Sequence, residues 1–229
     1  MAEAMDGADL DPQLLSGDLL NLEALNRFFG GRDVIRRRVA PLVAQLKPGR
    51  TVSVLDLGSG SGDLCRVLVD ECRRQDRPVE VLSLDAHPQI QEFARERCRP
   101  AYPEIRFIRG DARQVPLRER SVDLALCTLA LHHFRDPEAR TVLAEMHRVT
   151  RGWAVVSDLC RSRTAYAGVW AATRLTANPM TRFDGPVSVQ RAFTASELRA
   201  LAEEAGWTGA RLLREPWFRM TLVCKRESL

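Results

Sequence analysis

Three carboxylates and three glycines are spaced so that together they could hold a charged, nucleoside-bearing ligand. Asp56 closes an apolar run, and Gly58, Gly60 and Gly62 follow it at every second position. Glycine suits such a loop because a ligand can press on bare backbone and φ can be positive. The loop reads Gly-x-Gly-x-Gly-Asp, with Asp63 where a dinucleotide fingerprint has its last glycine, and the Gly-Lys-Ser/Thr of a P-loop is absent. A carboxylate at a helix start repels a diphosphate, so a diphosphate is not the expected anchor. Asp85 lies 27 positions after Gly58, at the end of a second apolar run, where an acid can accept both hydroxyls of a ribose. Asp111, in Arg-Gly-Asp-Ala, can take a hydrogen from an exocyclic amine of adenine beside Ala112. Three acids at three strand ends suit an adenosine that carries a positively charged tail.

The rest of the chain reads as the frame that brings these ends together. Apolar residues at helical spacing predict helices over 14–29 and 33–46, broken at Gly30-Gly31 and ended by Lys47-Pro48-Gly49. From Thr51 strands and helices alternate. Strands are expected over 51–57, 79–85, 104–108, 122–127 and 153–157, with helices over 63–74, 88–99, 137–149 and 165–177. Pro179 and Gly185-Pro186 predict a loop over 178–193. Thr194, with Glu197 three residues on, caps a helix that stops at Gly206. Two last strands, 210–214 and 218–224, are joined too closely for a parallel crossover and are expected to pair antiparallel. The pattern is an α/β fold whose sheet is mostly parallel.

At 229 residues the chain can form one sizeable core, and the apolar fraction of 45% with a mean hydropathy of −0.22 fits a soluble globular protein. No apolar run is long enough for a membrane span, and residues 1–12 are acidic, read as a flexible tail rather than a signal peptide. The net charge is +4, almost all arginine, since Lys47 and Lys225 are the only lysines. The arginines are scattered among acids, which predicts solvated faces and no nucleic-acid partner. Six cysteines without a CxxC pair read as free thiols in a reducing, cytoplasmic setting. With four histidines and no zinc-ligand spacing, no metal site is expected.

The motifs in their order resemble those of class I S-adenosylmethionine-dependent methyltransferases. Val-Leu-Asp-Leu-Gly-Ser-Gly-Ser-Gly is similar to that family's first motif, Leu-Ser-Leu-Asp-Ala to its ribose-binding strand end, and Arg-Gly-Asp-Ala to its adenine motif. Ser-Val-Asp-Leu-Ala-Leu-Cys-Thr-Leu-Ala-Leu-His-His-Phe is similar to its fourth strand and following turn. The resemblance is strong over 51–157 and weak in the tail strands. It implies a Rossmann-like doubly wound sheet, order 3-2-1-4-5-7-6, under an N-terminal helical lid. It further implies one domain over 13–229: lid 13–48, cofactor core 51–158, substrate-covering insertion 159–193, last helix and hairpin 194–229. S-adenosylmethionine is the implied cofactor. Gly58, Ser59, Gly60 and Gly62 would cradle its methionine part, Asp56 its ammonium, Asp85 and Ala86 its ribose, and Asp111 and Ala112 its adenine. Thr128 and Leu129 would line the sulfonium side.

On the acceptor side, Leu131-His132-His133-Phe134 leaves strand four without the Asn/Asp-Pro-Pro-Tyr/Phe of nucleic-acid base methylases, and the paired acids of protein arginine methyltransferases are absent too. Methyl transfer to a hydroxyl or enol needs a base, and a histidine near neutrality is apt, which makes His132 and His133 the candidates. Asp158, Arg161, Arg182, Asp184 and Arg191 are expected around the substrate; a salt bridge between Asp184 and Arg191 is the alternative for that pair. The overall cast is similar to quinone- and polyketide-pathway enzymes, so O-methylation of a phenol or enol of a small secondary metabolite is expected. C-methylation of a quinol-type ring, a cofactor-binding protein without transferase activity, and a nicotinamide-dependent dehydrogenase are the rivals.

Overall fold

The computed structural model describes residues 3–7 and 10–226. Seven strands form one sheet in the order β3-β2-β1-β4-β5-β7-β6. They are β1 (Val52–Leu57), β2 (Val79–Asp85), β3 (Ile105–Arg109), β4 (Val122–Thr128), β5 (Thr150–Leu159), β6 (Arg211–Glu215) and β7 (Arg219–Lys225). The first five are parallel, whereas β7 pairs antiparallel with both β5 and β6. The doubly wound, mostly parallel sheet with an antiparallel hairpin is thus the one expected.

Side-chain alternation at period 2 divides the core between the two faces. From β4, Leu124 and Leu126 pack with Leu64, Val67 and Leu68, whereas Ala125 and Cys127 pack with Leu143, Met146 and Leu198. The first face is therefore covered by α3 (Ala40–Ala44) and α4 (Asp63–Arg74), and the second by α6 (Asp136–Val149) and α9 (Ala195–Glu204). Trp207 is fully buried in the second cluster, where its indole N–H donates to the Leu143 carbonyl at 2.9 Å. Among the described residues no disulfide joins any of the cysteines, and no helix is long and apolar enough to cross a membrane.

Before the sheet, α1 (Pro12–Phe28) starts at Asp11, whose carboxylate accepts from the Gln13 and Leu14 amides. Gly30, at φ +82°, ends that segment, and α2 (Gly31–Val34) runs through a π-helical stretch, Ile35–Val39, into α3. α5 (Pro88–Cys98) lies between β2 and β3. After β5 comes α7 (Arg163–Thr173).

Two expectations change. Residues 178–193, expected as a loop, contain the helix α8 (Pro179–Arg191), with Pro186 inside it. Asn178 caps the start by accepting from Met180 and Thr181 amides, and Pro179 falls at the first turn, where it is tolerated. Pro186 cannot donate to the Arg182 carbonyl four residues back, and the Arg174 guanidinium takes that acceptor at 3.1 Å. A Cβ on Gly185 would lie 2.5 Å from Thr173 Cγ2, so glycine here permits close contact of α7 and α8. The second change is at the N-terminus, expected as a flexible tail. Its residues Glu3–Gly7 pack into the molecule because the Asp184 carboxylate on α8 accepts from the Ala4 amide at 2.6 Å and the Met5 amide at 3.0 Å. Met1, Ala2, Ala8 and Asp9 of the expected tail lie outside the described residues.

Candidate active site

The strand order reverses between β1 and β4, which opens a crevice at their carboxyl ends where open α/β sheets bind ligands. A cavity of about 600 Å³ occupies it. Its wall contains every residue expected to touch the cofactor: Asp56, Gly58, Ser59, Gly60, Asp85, Ala86, Asp111, Ala112, Thr128 and Leu129, with Gly62 the one exception. Gly62 instead caps α4 at φ +71°.

The glycine loop is held by the second acid. Asp85 accepts from the Gly60 amide at 3.1 Å and from the His87 amide at 3.0 Å. Burial raises its pKa, and these two amides partly offset that. Ser59 and Ser83 hydroxyls meet at 2.6 Å and fasten the loop to β2. At Gly58, φ is +64° and an added Cβ would lie 2.5 Å from the Ala130 Cβ, so only glycine lets the loops after β1 and β4 approach. Leu129 also sits at positive φ, +53°, which is costly for a leucine and is held by its amide donating to the Ser157 carbonyl at 2.8 Å.

Asp56 is 3% exposed, and its Oδ1 has no hydrogen-bond partner among the described residues. Cys65 donates to Oδ2 at 3.1 Å, yet burial pushes the carboxyl up to about 7. Asp63 is a second buried acid in the wall, pushed up to about 6 by burial, with Asn26 Nδ2 at 3.3 Å. Arg219 on β7 is buried behind it and donates to Asn26 Oδ1 at 3.1 Å. Sequence reading passed over this Asn26–Arg219 support because it joins helix α1 to the last strand. Asp111 lines the cavity while clamped by Arg113, whose backbone amide and guanidinium both reach it at 2.8–3.0 Å.

Opposite the glycine loop stand His132 and His133, in a single 3-10 turn after β4. His132 is 3% exposed, and its Nδ1 lies 2.6 Å from Asp158 Oδ1 at the end of β5. The His132 amide also donates to Asp158 Oδ2 at 3.1 Å. Burial alone would raise the Asp158 pKa, but the imidazole beside it holds it below the usual carboxylate value. The carboxylate therefore accepts and Nδ1 donates, which leaves Nε2 as the ring nitrogen on the cavity side.

The expected substrate side chains divide differently. Asp158 does not line the cavity; it lies behind His132 and fixes that ring. Arg191 donates to the His132 carbonyl at 3.0 Å and to the His133 carbonyl, so it holds the turn. Asp184 holds the N-terminal segment instead of a substrate. Arg161 pairs with Glu197 at 2.5 Å, and Arg182 donates to the Thr176 carbonyl at 2.7 Å; both lie outside the cavity wall. The expectation for Asp158 rests on its place at a strand end and for the other four on their place in the chain after it; except for Arg182, their partners come from elements distant in sequence. Leu19, Leu22, Met5, Phe134 and Ser188, none of them expected, line the cavity instead.

Residues 54–152 match the family model described as a methyltransferase domain. Over 146 residues the chain is 32% identical to the demethylmenaquinone methyltransferase of Thermotoga maritima, covering 62% of this chain and 58% of that protein. The chain spans about half the length of the curated relatives it matches, or less. Among solved structures, the fold is similar to the CurJ carbon methyltransferase, with a TM-score of 0.71, 15% identity and coverage of 96% and 62%. It is also similar to a Methanococcus maripaludis protein described as a putative S-adenosylmethionine-dependent methyltransferase, with a TM-score of 0.66, 14% identity and coverage of 97% and 98%. Over residues 54–152 the chain carries a class I S-adenosylmethionine-dependent methyltransferase domain. For the cofactor of this methyltransferase domain, the wall offers what an amino-acid sulfonium with an adenosine needs. A buried carboxylate oxygen without a partner can accept an ammonium, and Gly60, where an added Cβ would meet nothing within 4 Å, leaves open space beside it.

Proposed function

We propose that the chain methylates a small phenol- or enol-type acceptor, with His132 as the base. The observation that carries this reading is the buried His132–Asp158 pair, whose free imidazole nitrogen faces the same cavity as the glycine loop. Bound S-adenosylmethionine supplies a methyl group on a sulfonium, and the departing thioether needs no acid. Asp56 accepts the ammonium, Asp85 the ribose hydroxyls, and Ala112 with Asp111 borders the adenine. Helix α1, which contributes Leu19 and Leu22 to the wall, serves as one side of a lid that excludes water. His132 Nε2 removes the acceptor proton, and Asp158 stabilises the imidazolium that results. Glu3 Oε1 lies 3.5 Å from that nitrogen, so an acceptor must displace the Glu3 side chain to reach it.

The resulting anion carries charge on oxygen and on the neighbouring carbon. Attack through oxygen is the first reading. Attack through a ring carbon is the second, supported by the likeness to a demethylmenaquinone methyltransferase. Incubation with methyl-labelled S-adenosylmethionine and a panel of phenols, enolisable dicarbonyls and quinols tests both. Nuclear magnetic resonance of the product separates O–CH3 from C–CH3. Tight S-adenosylhomocysteine binding with no methylated product from any of the three classes would leave a cofactor-binding protein instead.

Asp56 also predicts a pH dependence. In the free protein its carboxyl is pushed up to about 7, so it is protonated below that and cannot pair with an ammonium. Affinity for S-adenosylhomocysteine is expected to rise with pH through the window from about 4 to about 7 and then level. The sign for folding is opposite: over the same window the folded form holds a proton that the unfolded chain has lost, so the free protein loses stability as pH rises. Glu3 and Asp63 titrate in this window as well. Calorimetry in buffers of different ionisation heat reads the proton released on binding, and Asp56→Asn should remove one proton from that count.

A further inference from the structure

Around the two histidines lies a set of groups that base catalysis does not use. The Glu3 carboxylate is 4% exposed, and its Oε1 is buried without a hydrogen-bond partner among the described residues. His132 Nε2 lies 3.5 Å from Glu3 Oε1, and His133 Nε2 lies 3.7 Å from Glu3 Oε2. These separations are too long for hydrogen bonds. They are close to the roughly 3.3–3.6 Å between two ligands of a tetrahedral ion bound at about 2.0–2.2 Å, with one histidine facing each oxygen of the Glu3 carboxylate. One ligand atom from each of the three residues lies within 4.8 Å of the others. Both rings are also held from behind: His132 Nδ1 by Asp158 at 2.6 Å, and His133 Nδ1 by Asp6 at 2.8 Å. A carboxylate on the far nitrogen fixes the tautomer and turns the Nε2 lone pair toward the shared point, as at histidine metal sites.

We propose that Glu3, His132 and His133 hold a divalent transition-metal ion of the zinc type, with a fourth position open to the cavity. Two imidazoles and one carboxylate with an open position are a donor set that Zn²⁺ and Co²⁺ accept. The ion ties the N-terminal segment, already anchored by Asp184, across the acceptor half of the cavity. It also takes the His132 lone pair, so resting on the base reading above, the loaded form is the inactive one. The spacing of histidines and cysteines along the chain does not reveal this set, because Glu3 is 129 positions before His132.

The test is a Co²⁺ titration of the full, chelator-stripped chain, read as visible d–d absorption and needing no turnover. The expected result is a band that saturates at one ion per chain and is displaced by Zn²⁺. Glu3→Gln and His133→Asn should each weaken the affinity at least about tenfold, and Asp6→Asn, acting through His133, by about 10–100-fold. Circular dichroism checks that each variant is folded. Absence of the band, or a band of unchanged affinity in both Glu3→Gln and His133→Asn, overturns the site. Zn²⁺ should inhibit turnover in the wild type and much less in Glu3→Gln. A band that the variants weaken, without inhibition, leaves the metal site standing and removes the base assignment instead.

Discussion

Replacing His132 with alanine is expected to lower the methyl-transfer rate by about 10²–10⁴-fold, the usual contribution of a positioned base, while S-adenosylhomocysteine binds as before. The split follows from where the ring sits. His132 is buried in the cavity wall, and Asp158 holds its Nδ1 at 2.6 Å. The glycine loop and Asp85 lie on the other wall and make their own bonds. Asp158→Asn should lower the rate too, because an amide no longer requires the proton on Nδ1 and no longer stabilises an imidazolium. Its effect should appear as an altered pH–rate profile, which a loss of packing alone would not produce. His133→Ala should cost less, since His133 is more exposed and is paired with Asp6 of the N-terminal segment. Wild-type turnover in His132→Ala, measured at saturating cofactor, would falsify the base assignment.

Asp85→Ala is expected to weaken S-adenosylhomocysteine binding by about 100-fold or more. Each hydrogen bond to a charged group is worth roughly 1.5–3 kcal/mol, and two ribose hydroxyls are at stake. Tenfold in affinity corresponds to about 1.4 kcal/mol. The loss is compounded because the same carboxylate holds the Gly60 amide, so its removal also frees the loop beside the methionine part. Asp111→Ala should cost about tenfold or less by comparison, because its carboxylate is already engaged by Arg113 and is partly exposed. Isothermal calorimetry on the two variants reads this order directly, and equal losses at both positions would assign the ribose and adenine contacts wrongly.

The extent to which the chain could be read from its residues differs between its parts. Strands β1, β2 and β4 are largely buried apolar runs, and β1 and β2 lie next to glycine or proline, so their existence follows from local pattern, whereas their order in the sheet comes from the resemblance. The short connection between β6 and β7 likewise fixes their antiparallel pairing. Helix α8 was hidden because Gly185 and Pro186 are breakers in isolation. What overrides them is the Asn178 cap, Arg174 taking the Arg182 carbonyl, and the packing of α8 on α7. Arg161 and Arg182 lie in the right region of the chain but on the outer surface, a distinction that loop position does not carry.

By itself the sequence determined the sheet, the carboxyl-end crevice and the acids that enter it, because strand ends in a parallel sheet converge whatever the loops do. Gly58, Gly60, Asp85, Asp111 and the histidine turn are each next to a strand end, so short-range pattern places them. Only the tertiary structure decided what surrounds the histidines. Asp158 meets His132 because β4 and β5 are neighbours in register, with Thr128 beside Ser157. Glu3 and Asp6 meet the pair because Asp184, on a helix the residues disguise, captures the N-terminal backbone. Such contacts depend on long-range closure of the chain, and no local spacing encodes them.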